Sequence, residues 1–168
     1  MLFILRRFNP SPTVVRYLLI GAGTSTRIAM MGGLSANKPT IGNRRLDADS
    51  GQGVTGSADV GTGWGLHCAK WNWAAAELDQ YINCAVDGSL SPFQTPGSTS
   101  NTALTLLRLG AGGAPTSDGF AGSIAEVVLV HSVDTTLRQR IEGYMLWRRG
   151  LQSLLPSGHP YESAPPYV

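Results

Sequence analysis

The 168-residue sequence predicts an all-β antiparallel sandwich finished by one C-terminal helix, and three observations carry that prediction. Gly and Pro make up 31 of the 168 residues while only 14% are charged, a balance that favours short strands joined by tight turns. Short apolar or β-branched runs recur along the chain, each bounded by Gly, Pro, Asn, Asp or Ser. Helical spacing of useful length occurs once, over Thr135 to Arg149. The length fits a single domain, 1–168.

Taken in order, Leu2 to Arg7 and Val14 to Ile20 read as strands on either side of an Asn-Pro-Ser-Pro turn. Gly21-Ala-Gly23 ends the second, and Arg27 to Met31 starts a third. Ile41 to Leu46 and Gln52 to Thr55 are further strands around Asp47-Ala-Asp49-Ser-Gly51. A glycine-punctuated loop then leads to a central hairpin, Leu66 to Trp73 and Gln80 to Asp87, with the next turn at Asp87-Gly88. If the hairpin turn is centred near Ala76, Trp71 faces Tyr81 and Cys68 faces Cys84. Pro92 to Asn101 is a loop, Ala103 to Leu109 a strand, and residues 110–119 another loop. Ile124 to His131 is apolar and β-branched and reads as a buried strand, closing a set of eight or nine that spans residues 2–131. In the helix, Leu137, Ile141, Tyr144 and Met145 share a face, with Asp134 as N-cap and Gly150 as the stop. Over 150–168, Pro156, Pro160, Pro165 and Pro166 exclude regular structure, and Leu154, Leu155, Tyr161 and Tyr167 anchor an extended tail against the fold.

A formal charge of +2 does not imply nucleic acid. Eleven of the thirteen basic residues are Arg, which suits protein contacts and equally suits a GC-rich genome. Met1 to Leu5 is too short for a secretory signal, and no run is long enough to cross a membrane as a helix. The chain is therefore expected to be made in a cytoplasm, with Cys68 and Cys84 as buried thiols, although the hairpin would also allow a disulfide.

Trp64 to Gly88 resembles the Trp, strand, turn, strand, Asp-Gly core of laminin G-like, concanavalin A-like jelly rolls. Arg108-Leu109-Gly110 with Phe120 to Glu126 is similar to the strand pair that follows there. Ile141-Glu142-Gly143-Tyr144, Trp147, Gly150-Leu151, Leu155-Pro156 and Gly158-His159-Pro160-Tyr161 look like the C-terminal extension of a bacterial and phage branch of that superfamily. The resemblance implies a jelly-roll sandwich with a C-terminal helix. It further implies a non-enzymatic phage virion protein, such as a capsid decoration, that adheres to neighbouring capsid or tail subunits at the virion surface. The alternative it implies is a carbohydrate-binding, lectin-like receptor-recognition module of a tail or fibre, with a host glycan as partner. The family has further strands upstream of its counterpart of Leu2 to Ile20, so either the fold is pruned or an open sheet edge remains, to be paired with a neighbour or a second copy. No nucleic-acid or membrane partner is expected.

Candidate chemistry is sparse. Glu77, Glu126, Glu142 and Glu162 are isolated, so the paired carboxylates of a glycosidase are missing and no enzyme is expected. His67, His131 and His159 have no sequence neighbours that complete a zinc set, and His159 is expected to fix the tail by a hydrogen bond. No cofactor is expected, apart from Ca2+ at Asp47 and Asp49, whose spacing opens like a calcium loop and equally suits a solvated turn. Trp71 and Trp73 read as core packing or as a sugar-stacking platform, served by the loops at Asp47 and Ser117-Asp118. Arg138, Arg140, Arg148 and Arg149 make the helix basic, as a solvated face or a protein-contact surface, and Arg138 is four residues before Glu142.

Overall fold

The structure is a computed structural model that describes residues 1–8, 15–22, 26–35, 38–59, 61–99, 106–110 and 119–167; of residues 15–17, 22, 26–31 and 33–35 it describes the backbone alone. Its strands are β1 (Leu2–Phe8), β2 (Val15–Ala22), β3 (Thr26–Ser35), β4 (Lys38–Asn43), β5 (Gln52–Thr55), β6 (Trp64–Asn72), β7 (Glu77–Ile82), β8 (Ala85–Leu90), β9 (Leu106–Leu109) and β10 (Gly122–Leu129). They form two five-stranded sheets, β10-β1-β6-β7-β8 and β5-β4-β3-β2-β9, and every pairing is antiparallel. The chain crosses between the sheets four times, after β1, β5, β8 and β9. The predicted Asn-Pro-Ser-Pro turn, residues 103–105 of the predicted β9 and Ser117-Asp118 lie outside the described residues.

The alternation of β1 shows how the layers stack. Leu2, Ile4 and Phe8 point into the sandwich with Leu18, Ile41, Ala69, Leu78 and Phe93. Phe3 and Leu5 point the other way, into a second core with Leu66, Cys68, Tyr81, Met145, Leu146 and Leu155. The first sheet is thus buried on both faces, by the second sheet and by the helix α1 (Thr135–Arg148) with the tail behind it. Continuous apolar runs such as Leu2 to Leu5 are what a doubly covered strand requires.

Several expectations shift. Gln80 to Asp87 is not one strand: the chain reverses at Asn83-Cys84, where both residues have positive φ (48° and 69°), the signature of a two-residue I′ hairpin turn. Asp87-Gly88 therefore lies within β8, and the β6–β7 register is Trp71 opposite Leu78 and Cys68 opposite Tyr81. Asn83 explains the early reversal, because its N–H donates to Leu66 O at 2.8 Å and its Oδ1 accepts from Leu66 N at 3.0 Å. Cys68 and Cys84 are free and buried. Ile41 to Leu46 moves back to Lys38–Asn43, and Trp73 falls in the β6–β7 turn. β10 is an edge strand, half-buried, with Leu129 64% exposed. The edges are β10, β8, β5 and β9, while β1 sits inside its sheet.

The helix is capped as expected, with Asp134 Oδ1 accepting from Leu137 N at 2.6 Å and Gly150 at φ +67°. Its buried face is rotated from the expected one: Arg138, Glu142, Gly143, Met145 and Leu146 are buried, while Leu137, Ile141 and Tyr144 are only half-buried. The tail does lie against the fold, but it is not extended. It opens with a 3-10 turn (Gln152–Leu154) and turns again around Gly158; Leu155, His159 and Pro166 are buried and Leu154 and Tyr161 half-buried against the fold, whereas Tyr167 is 89% exposed.

Polar side chains enter the sandwich beside this apolar core. His67 is fully buried, shares a hydrogen bond with Gln80 (Nε2 to Oε1, 3.1 Å), and Gln80 Nε2 donates to Asp87 Oδ2 and Pro39 O. Burial first, and the Arg6 guanidinium second, hold His67 well below its ordinary 6.5, so it stays neutral when folded. The unfolded chain takes up that proton below pH 6.5 and the folded chain does not. Stability is therefore present above 6.5 and lost as pH falls, at up to about 1.4 kcal/mol per pH unit for this group. Urea denaturation at pH 5 and 7.5 should show a smaller acid loss in His67→Gln than in the wild type. An identical loss in both would contradict the assignment.

Candidate functional site

Two places bring polar chemistry together. The first is an open cleft of about 770 Å³ at one end of the sandwich. One wall is the β6–β7 turn, Trp71 to Ala74; another is Gly97 and Ser98; the third runs from Leu129 to Val133 at the end of β10, with Ile20 and Asn43 also lining it. The turn is held by Asn72, whose Oδ1 accepts from Ala75 N and whose Nδ2 donates to Glu77 Oε2. The loop at 91–99 is tied to that turn by Phe93 N–H to Ala76 O (2.6 Å) and Gly97 N–H to Trp73 O (3.1 Å). Gln94 fastens the same loop to Ser50 O and to Gln52 Oε1. The wall is therefore built before any ligand arrives.

Trp71 and Trp73, expected on one strand face, both reach this cleft from adjacent backbone contexts, the end of β6 and the first turn residue. Both are half-buried and pack against the sandwich core, and Trp73 lies 5.2 Å from Phe93, ring centre to ring centre. The same two indoles thus pack against the core and line the cleft. The Trp71 Nε1–H is shielded from water and has no hydrogen-bond partner, and such a group costs about 1–3 kcal/mol. Exposed Leu129 and Val133 continue the apolar surface, and the exposed Ser98 and His131 supply polar groups at the rim.

The second place is a buried cluster on the outer face of the first sheet. Arg138 Nη1 donates to Glu142 Oε1 at 2.6 Å, and Glu142 Oε2 lies 3.3 Å from His159 Nε2. The His159 Nδ1 accepts from Tyr161 N–H at 3.3 Å, which leaves the ring proton on Nε2 to be donated to Glu142. His159 thus fixes the tail by a hydrogen bond, as expected. Trp147 Nε1 donates to Tyr161 O, and Gly143 has no side chain where a Cβ would stand 2.8 Å from Tyr161 Cβ. Burial pushes the Glu142 carboxyl up to about 7, against the pull of Arg138. Burial and then Glu142 push the Cys84 thiol up as well. Cys84, Glu142 and His159 are, among the described residues, the one trio of His, Cys, Asp or Glu whose donor atoms lie within 4.8 Å. Its bonding opposes metal ligation, since the proton sits on the His159 nitrogen that would coordinate, the thiol is protonated, and Arg138 occupies the carboxylate. The cluster is a clasp between hairpin, helix and tail.

Arg138 is therefore a correction to the solvated-face expectation: it is 7% exposed and stacks 4.0 Å above the Tyr81 ring. Arg148 and Arg149 pair with Glu126 of β10, Arg149 also donating to Ala125 O, and Arg140 donates to Tyr167 O. Asp47 and Asp49 sit on a turn that closes on itself, Asp49 Oδ2 accepting from Leu46 N at 2.9 Å. They belong to no trio of donor groups among the described residues, and Ca2+ takes roughly six to eight oxygen ligands.

No protein-family model matches the chain, and no curated protein matches it. Solved structures do. The fold is similar to the CBM40 of the Ruminococcus gnavus IT-sialidase, at 16% identity over 82% of this chain and 78% of that one, with a TM-score of 0.68. The same domain bound to α2,3-sialyllactose matches at 17% identity over 77% and 76%, with a TM-score of 0.60. The native heptameric SAP-like pentraxin of Limulus polyphemus matches at 13% identity over 75% of this chain and 61% of that one, with a TM-score of 0.53. At these identities the likeness is one of fold, an antiparallel jelly roll of concanavalin A-like type.

Proposed function

We propose that this chain is a carbohydrate-binding module that holds a glycan in the cleft lined by Trp71 and Trp73. The observation that carries the reading is the joint placement of both indoles on one preformed, mostly apolar cleft with polar groups at its rim. An aromatic face packs against the apolar face of a pyranose, and rim hydroxyl and imidazole groups meet the sugar hydroxyls. The structurally similar CBM40, which was solved bound to sialyllactose, supports the same reading by analogy of fold. Binding is proposed without catalysis: among the described residues, the Cys84, Glu142 and His159 cluster is buried and held in its own hydrogen bonds.

The virion setting expected from the sequence resemblance, a capsid or tail surface reached after synthesis in a host cytoplasm, rests on that resemblance alone. It remains a proposal about where such a module works. Adhesion through the helix would fall to Arg140, Arg148 and Arg149, which are exposed, since Arg138 is buried.

A glycan array followed by titration calorimetry tests the binding proposal. Trp73→Ala should weaken the best ligand roughly 30-fold, the size of one aromatic hot spot. Ser98→Trp, which fills the cleft from an exposed loop, should abolish binding without lowering Tm. Glycan binding untouched by both variants would place the site elsewhere.

A further inference from the structure

Arg44 and Arg45 follow β4 side by side and are half-buried, and Arg45 backs the cleft wall. The Arg45 Nη1 donates to Ser98 O at 2.9 Å and lies 3.4 Å from where a Cβ would stand on Gly97; both residues are cleft wall. Its Nε is shut off from water without an acceptor, and so is that of Arg44, whose Nη1 reaches only the backbone Asp47 O at 3.4 Å. Among the described residues, neither guanidinium has a carboxylate within 4.0 Å. Lys38, Lys70, Arg138, Arg148 and Arg149 all have one. The cleft itself is lined by no Asp or Glu among those residues.

Partly desolvated cations without a counter-ion are costly, and an anion arriving beside them relieves that cost. A guanidinium also presents a planar fork that matches a carboxylate or a sulfate better than a sugar hydroxyl. We infer that the glycan is acidic, and that its carboxylate or sulfate pairs with Arg45 while its apolar face lies on Trp73. This inference rests on the glycan-binding reading above and narrows its ligand class. Arg44 adds to the local positive field without touching the cleft wall.

The experiment is an array carrying neutral, carboxylate-bearing and sulfate-bearing versions of the same oligosaccharides, read with the wild type, Arg45→Gln and Arg45→Lys. The wild type should bind an acidic version about tenfold or more tightly than its neutral parent. Arg45→Gln should bring it down to the neutral level with an unchanged melting temperature, and Arg45→Lys should restore part of the difference. Added salt should weaken acidic ligands and spare neutral ones. The preferred arm, carboxylate or sulfate, identifies the anion. Neutral and acidic versions bound equally, or Arg45→Gln without effect, would overturn the acidic assignment and leave glycan binding standing. No glycan bound by the wild type would sink both.

Discussion

Glu142→Ala lowers stability by about 3–5 kcal/mol, the cost of leaving the buried Arg138 cation without its partner. For a chain of this length that is a fall in Tm of roughly 6–20 °C. The same change removes the hydrogen bond that His159 makes from the tail. Residues 156–167 should then become accessible to protease well below the melting temperature, whereas in the wild type they should not. The control is Arg138→Met with Glu142→Leu, which removes both charges and should recover most of the loss, since apolar replacements of a buried pair are often neutral. A Glu142→Ala loss below about 1 kcal/mol would show that the pair is effectively solvated. The clasp also has a pH signature. Because burial raises Glu142 from its ordinary 4.5 to about 7, the folded chain holds a proton there that the unfolded chain has released. This group's contribution to stability therefore falls as pH rises from 4.5 to 7, opposite in sign to those of His67 and His159. Glu142→Gln should remove that component and leave the histidine component intact.

Phe3→Ala should cost about 3–5 kcal/mol, because Phe3 is fully buried where the first sheet meets the helix and tail. The neighbours are a strand on each side and the Met145, Leu146 and Leu155 side chains above, so little of the cavity can collapse. Leu107→Ala, on an edge strand and 66% exposed, should stay within about 0.5 kcal/mol. Denaturant melts of the two variants compare the layers directly. Equal losses would mean that the outer core contributes no more than a surface patch.

The apolar alternation of the strands and the capping of the helix were legible because both depend on residues near in sequence. Asp134, Gly150 and Gln52–Thr55 are local features, and they sit where the sequence places them. The hairpin slipped because Asp-Gly is the stronger turn dipeptide, while the turn that forms, Asn83-Cys84, is favoured by Asn83 bonding to Leu66 across the sheet. That contact is non-local. The rotation of the helix has the same origin. Leu137 and Ile141 form the apolar stripe, but the tail lays His159 and Tyr161 over Glu142 and Gly143, and burial follows the tail. Of the candidate site, Trp71 and Trp73 were visible as aromatic neighbours. Ser98, Arg45 and Leu129 to Val133 were not, because loops distant in sequence converge there without any motif of their own.

The most direct measurement of the central claim uses the four indole N–H resonances of Trp64, Trp71, Trp73 and Trp147 during titration with an array-selected glycan. Trp64 lies under the Arg7 side chain, and Trp147 is bonded to the tail, so both serve as internal references away from the cleft. Glycan bound in the cleft should shift Trp71 and Trp73 in a saturable manner and leave Trp64 and Trp147 in place. Saturable shifts of Trp64 or Trp147 with Trp71 and Trp73 unmoved, or no shifts at all, would contradict it.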